Sequence, residues 1–261
     1  MITIYGAPPT RALRVCWMLE EMNLPYEIRS VNFQTRFEDR EFMAISPAGA
    51  VPAMRDGDTQ LIESCAILEY LGAKYGPTPL TPAPTDPRYP AYMSYLHFGE
   101  ASLSGPLNVT VATRFFAPDD QKQNWGAQFA IENFVRKSGA LLGPLSRGPY
   151  IAGDVFTAAD ISCGYAVGLS RFLGFEERLD PVLRDYAGRV TRRPALSARH
   201  EQGATSRLIS LFDVAPFQRY ATARRGRGGT VDATDLKSVG RKPVRVRFPP
   251  SAPIKSIGYV R

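Results

Sequence analysis

Three short stretches of this 261-residue chain combine residue types that could hold a small anionic peptide. The first is Ser46-Pro47-Ala48-Gly49-Ala50-Val51-Pro52. A Val-Pro entering a strand reads as a candidate cis peptide bond. The residue before it then turns its backbone N–H and C=O out of the sheet, where an extended ligand can pair with them. The second is Leu61-Ile62-Glu63-Ser64-Cys65-Ala66-Ile67. Its Glu-Ser opens a helix, and a hydroxyl, free backbone N–H groups and the positive end of the helix dipole there suit a carboxylate. The third is Thr10-Arg11-Ala12-Leu13-Arg14, which sets a hydroxyl just ahead of another helix.

These stretches need elements to present them. Residues 2–5 read as a short apolar strand. Residues 11–23 carry Ala12, Val15, Leu19 and Met22 at spacings of three and four, one face of a helix, and Asn23 followed by Pro25 ends it. Residues 26–31 read as a second strand, parallel to the first through a right-handed crossover. A helix over 38–44 follows, then strands over 51–55 and 60–62 joined by the hairpin signal Asp56-Gly57-Asp58-Thr59, then a helix over 65–75. This βαβ then ββα order predicts a thioredoxin-like α/β domain with a mixed four-stranded sheet over residues 1–76. Five prolines between Gly76 and Pro87 exclude helix or central strand and mark residues 77–87 as a linker. Helical patterns over 89–115, 119–142, 157–172 and 180–191 predict an all-helical domain over 88–210. Within it Thr157 suits an N-cap with Asp160 at N3, and Phe156 and Ile161 form the hydrophobic staple around them. That assigns Asp160 to folding and not to acid catalysis.

At 44% hydrophobic and 22% charged the chain has an ordinary globular composition. A membrane span and a secretory leader are not expected. Cys16, Cys65 and Cys163 are isolated in apolar helical patterns, which suits a reducing cytoplasmic compartment. His97 and His200 are the two histidines, and neither sits in a metal-binding constellation. The net charge of +7 is misleading as a nucleic-acid signature: residues 222–261 hold ten Lys and Arg against Asp232 and Asp235, a net of +8, which leaves residues 1–221 near −1. That Gly/Arg/Pro-rich tail has the composition of a disordered segment. It resembles a translated transfer-RNA gene, residues 230–240 like a read-through anticodon arm and residues 244–250 like a T-arm, and so reads as an extension without selected function. The rival reading is a basic arm for RNA or acidic surfaces, helped by Phe248 and Tyr259.

The order and spacing of the first strand and helix, the Val51-Pro52 stretch and the Glu63-Ser64 stretch, followed by a helical half, resemble the cytosolic glutathione S-transferase family over roughly residues 1–210. The resemblance implies an enzyme that presents the glutathione thiolate to small hydrophobic electrophiles, in a cytoplasmic homodimer without a metal. It leaves open a glutathione-dependent isomerase, dehalogenase or peroxidase, and a non-enzymatic binding module on the same fold. The absence of Cys-x-x-Cys, with Pro8-Pro9-Thr10-Arg11 where a thioredoxin or glutaredoxin carries its redox pair, argues against disulfide exchange.

The thiolate, and not the thiol, is the nucleophile. A thiol of pKa about 8.5 needs roughly 2.7 kcal/mol of differential stabilisation to be mostly ionised at neutral pH, which one or two hydrogen bonds of about 1.5–3 kcal/mol to a charged acceptor can supply. The resemblance implies a donor at Thr10, as in serine-type members whose Ser-Arg-x-x-Arg this stretch is similar to, or at Tyr5, as in tyrosine-type members. It implies that Val51, before a cis Pro52, pairs with the cysteinyl unit, and that Glu63 and Ser64 hold the γ-glutamyl end. Ala50 departs from the family pattern, which places a lysine or another polar residue there for the glycyl carboxylate; Gln34 or Arg36 stands in as substitute. Ser46 replaces a common Asn. Tyr92, Tyr95 and Arg114, with Phe98 and Phe115, are the candidates for an electrophile pocket.

Overall fold

The computed structural model describes residues 1–6 and 10–197. Four strands, β1 (Ile2–Tyr5), β2 (Tyr26–Arg29), β3 (Ala53–Asp56) and β4 (Thr59–Ile62), form one sheet in the order β2-β1-β3-β4. β1 runs parallel to β2 and antiparallel to β3, with Tyr5 opposite both Arg29 and Ala53. Strand alternation separates two cores. Ile2, Ile4 and Met54 point toward α1 (Ala12–Glu21) and α3 (Ser64–Tyr75) and join the main apolar core. Tyr5 and Ala53 point the other way and pack with Val31, Phe42 and Ile45, the last two from α2 (Arg40–Ile45).

α1 is buried on every side from Ala12 to Leu19, because it lies between the sheet with α3 and the helical part beyond. A one-sided apolar face was the expectation; a helix enclosed by two layers is apolar nearly all round. Asn23 takes a left-handed φ of 52°, and Leu24 N–H bonds back to Leu19 O at 2.9 Å, which closes the helix end. The β3–β4 hairpin turns at Gly57, whose φ is +60°.

The proline-rich stretch is held to both parts. Leu80 is buried, its carbonyl accepts the Ala158 N–H at 2.8 Å, and Thr81 lies so close to Gly72 of α3 that a Cβ there would sit 2.3 Å away. The expected single helix over 89–115 is interrupted. It divides into α4 (Tyr89–Phe98), a π-helical turn (Gly99–Ser104) and α5 (Gly105–Phe116). Pro106 brings no N–H to the ladder at that point, and Gly99 lets α8 (Ala158–Phe172) approach so closely that a Cβ would lie 2.4 Å from Ser162 Oγ. The expected helix over 119–142 begins only at Trp125, where Asn124 Oδ1 accepts the Ala127 N–H at 2.9 Å. It forms α6 (Trp125–Ser138), followed by a short 3₁₀ turn and α7 (Leu142–Leu145). α9 (Pro181–Thr191) and α10 (Pro194–Ser197) complete the described helices. Thr157 and Asp160 form both bonds of the capping box at the head of α8. The expectations for His200, for residues 198–210 and for the tail 222–261 lie outside the described residues.

Candidate functional site

Gly6 draws the first pieces together. It leaves β1 with a φ of +144°, and a Cβ on it would lie 2.9 Å from the Ala12 Cβ and 3.3 Å from the Val51 Cβ. The start of α1 and the segment before β3 therefore meet at a position only glycine fits. The Val51-Pro52 bond is cis, and Val51 lies outside the ladder, whose pairing of β1 with β3 reaches only as far as Tyr5 and Ala53. Thr10 stands at the same corner; its Oγ1 accepts the Ala12 N–H at 3.3 Å.

The second anchor is the head of α3. Glu63 occupies the cap position with a left-handed φ of 69°, costly for a residue with a side chain and concentrated at functional sites. The Glu63 side chain makes no cap bond at this terminus, the positive end of a twelve-residue helix. Ser64 is buried, and its Oγ accepts from Arg14 Nη1 at 3.1 Å.

Arg14 is the centre of the arrangement and has no exposed surface. Besides Ser64, its Nη1 meets Glu100 Oε2, and its Nη2 donates to Ser104 Oγ at 3.0 Å, Gly99 O at 3.3 Å and Ser162 O at 3.3 Å. Its guanidinium also lies 4.7 Å from the centre of the Tyr165 ring. Glu100 is held from the other side by Arg11 Nε at 3.0 Å and keeps a quarter of its side chain exposed. A buried guanidinium is tolerated only where it is paired and hydrogen-bonded; here that requirement ties α1, α3, the π-helical turn and α8 to one point. By accepting from Arg14, the Ser64 oxygen keeps its own proton as a donor. Arg11 and Glu100, both partly exposed, add a cation and an anion at the rim.

Neither Arg14 nor Glu100 was among the expected site residues. One signal was present: Arg14 interrupts the apolar run of α1 between Leu13 and Val15, three residues after Arg11, so that both arginines share a side of the helix. Glu100 carried no such mark.

The remaining candidates lie elsewhere. Tyr5 is turned to the opposite sheet face, with its hydroxyl donating to Glu41 Oε1 at 2.7 Å and its ring stacked on Phe42. Burial, then the Glu41 bond, pushes its pKa up to about 12. The Arg36 guanidinium donates to Gly49 O at 3.1 Å and to Phe33 O. Gln34 is exposed and its N–H bonds to Asn32 Oδ1 at 2.9 Å. Tyr92 is buried, its ring centre 6.0 Å from that of Tyr89. The Tyr95 hydroxyl donates to Ala140 O at 3.3 Å. Arg114 Nη1 donates to Leu173 O and so caps the end of α8, a use of a cation at a helix C-terminus. The cysteines are all buried free thiols, and burial raises Cys16 to about 12 and pushes Cys65 and Cys163 upward too, away from nucleophilic ionisation. Among the described residues no group of His, Cys, Asp and Glu is placed to hold a metal ion, and no helix is long and apolar enough to cross a membrane.

A mixed four-stranded sheet with a cis-proline ahead of β3, joined to an all-helical part, defines a thioredoxin-like domain with a helical partner as the class of fold. Comparison with known proteins narrows it. A family model described as the glutathione S-transferase N-terminal domain matches residues 1–73. Glutathione S-transferase 3 of Schizosaccharomyces pombe is 28% identical over 233 residues, 85% of this chain and 94% of that protein. A glutathione S-transferase-like protein of Aspergillus fumigatus is 30% identical over 171 residues, 62% of this chain and 75% of its own length. Among solved structures, a glutathione transferase family member from Pseudomonas fluorescens Pf-5 with two glutathione bound is 27% identical, with a TM-score of 0.64 over 75% of this chain and 90% of that one. The chain belongs to the glutathione S-transferase family.

Proposed function

We propose that the protein is a glutathione transferase that binds the tripeptide along the corner between Thr10, Val51 and Ser64 and presents its thiolate to a small hydrophobic electrophile. The observation that supports this reading is the Arg14–Ser64 bond at 3.1 Å at the head of α3, which has no side-chain cap from Glu63: it fixes the Ser64 oxygen at a helix N-terminus that suits a carboxylate. On this reading Ser64 and the first N–H groups of α3 take the γ-glutamyl carboxylate, with Glu63 setting the backbone of that terminus. Glu100 faces the ammonium group of the same unit, and Val51 pairs its backbone with the cysteinyl unit. The sulfur then falls beside Thr10, whose hydroxyl donates to the thiolate and favours the ionised form. The thiolate attacks the electrophilic carbon, its electron pair forms the C–S bond, and the leaving group departs with the bonding pair.

The test joins retention on immobilised glutathione with turnover of a chromogenic aryl halide. Binding with turnover is the expected result. Retention without conjugation of any electrophile in a varied panel would move the protein to another glutathione-dependent reaction, and the absence of both would leave a binding module of the same fold.

A further inference from the structure

Glu100 carries two guanidinium groups on one carboxylate. Its Oε2 meets Arg14 Nη1, and its Oε1 accepts from Arg11 Nε at 3.0 Å. The two cations are held differently. Arg14 has no exposed surface and donates as well to Ser64, Gly99, Ser104 and Ser162, so that α3, the π-helical turn and α8 all fix its place. Arg11 keeps 28% of its side chain exposed, and Glu100 is its only ion-pair partner among the described residues. Its side chain can turn without moving the helix, because the Arg11 carbonyl accepts the Arg14 N–H at 3.1 Å and holds the backbone in place. The placement of glutathione proposed above brings a third cation, the γ-glutamyl ammonium group, to the same carboxylate. Three cations around one carboxylate repel one another. The one that can leave is Arg11, since a partly exposed ion pair is worth little and a long stem carries its charged head to water.

We propose that Arg11 is the resident counter-ion of Glu100, which the ammonium group of a γ-glutamyl ligand displaces on binding. Arg11 is then a specificity-determining residue: it reduces the advantage that a ligand gains from its ammonium group, and it otherwise keeps Glu100 paired. The inference rests on the γ-glutamyl placement of the proposed function and deepens it. Its sign runs against net charge. Glutathione has two carboxylates and one ammonium group, so a cation that served it as a carboxylate receptor would be missed when removed, whereas a displaced counter-ion is not.

Calorimetric titration of the wild-type chain and of Arg11→Met with glutathione and with deamino-glutathione, which lacks only the ammonium group, tests this. In the wild type the two ligands are expected to bind within about fivefold of each other, because the ion pair gained by the ammonium group offsets the one lost by Arg11. Arg11→Met is expected to bind glutathione about two- to fivefold more tightly than the wild type does, and deamino-glutathione no more tightly. A wild-type difference larger than about fivefold would overturn the inference, whether or not the variant folds. An Arg11→Met chain that folds, by its circular dichroism, and binds glutathione with unchanged or weaker affinity would overturn it too. An equal gain for both ligands would trace the effect to something other than the ammonium group, with the same consequence. Each of these outcomes leaves glutathione binding, and the proposed function, standing; failure of the wild-type chain to bind glutathione would remove both.

Discussion

Arg14, Ser64 and Thr10 divide the chemistry among residues that touch different things. On the proposed reading Ser64 and Thr10 meet the ligand, whereas the fully buried Arg14 acts through Ser64 and Glu100 and is a positioning residue. Ser64→Ala is expected to weaken glutathione binding by about 1–3 kcal/mol, the loss of a buried hydrogen bond to a charged group; calorimetry showing unchanged affinity would remove the γ-glutamyl site. Arg14→Met removes the buried donor shared by Ser64, Glu100, Ser104, Gly99 and Ser162, while Glu100 keeps Arg11 and Ser104 keeps Gly99 O, so a loss of roughly 1–3 kcal/mol in unfolding free energy is expected, measured by urea titration. An unchanged midpoint would mean that the network carries no net stability. The placement of Val51 ahead of β3 and of Glu63-Ser64 at the head of α3 was legible from order and spacing, because a hairpin between two short segments and a Glu-Ser at a helix start need only local pattern. Glu100 was not, since its partner Arg14 lies 86 residues away and neither side chain is marked by a period. Tyr5 was ambiguous for a related reason. Alternation shows that a strand residue faces one side or the other, but the side is decided by α2, which packs Phe42 on it.

At the scale of elements, the interrupted helix between Tyr89 and Phe116 is what lets Glu100 reach α1. A continuous helix would aim that position elsewhere, and the sequence did hold the clue in Pro106, an interior proline that a period-based reading absorbed into one long helix. The head of α8 behaved differently, because a capping box is written in four consecutive residues. There Asp160 accepts from Ile151 N at 2.9 Å, Thr157 N at 2.9 Å and the Tyr186 hydroxyl at 3.0 Å, buried throughout. Burial outweighs these bonds and raises its carboxyl from 3.8 to about 6. The folded state therefore holds this proton more tightly than the unfolded chain, so the contribution of Asp160 to stability falls as pH rises from about 4 to about 6 and is level above that. Comparing unfolding midpoints of wild type and Asp160→Asn across this window should show the slope in the wild type and its loss in the variant. Parallel profiles would place the carboxyl pKa near its ordinary value.

The whole molecule owes its site to the meeting of two parts, for Arg14 comes from α1, Ser64 from α3 and Glu100 from the helical side. Fold class was legible from the succession of elements, and the contact between the parts was not, since it depends on burial of α1 from both directions. Overall charge misleads at this scale. The body to residue 221 is near −1 and the excess of basic residues lies in 222–261, so a chain ending at Tyr220 is expected to move from cation-exchange to near-neutral behaviour while keeping its glutathione affinity. Any retention on heparin should disappear with those residues and fall steeply with salt in the full chain. Loss of glutathione binding on truncation would show that the basic segment takes part in the site.

The central claim is that Thr10 donates to the bound sulfur and Tyr5 does not. Ultraviolet titration of the thiolate in the complex tests it most directly. The wild-type complex is expected to ionise well below the free thiol's pKa of about 8.5, Thr10→Ala to raise that midpoint by about one to two pH units for a lost charge-assisted hydrogen bond, and Tyr5→Phe to leave it in place. An unmoved midpoint in Thr10→Ala together with a raised one in Tyr5→Phe would contradict the account and return the donor to the strand.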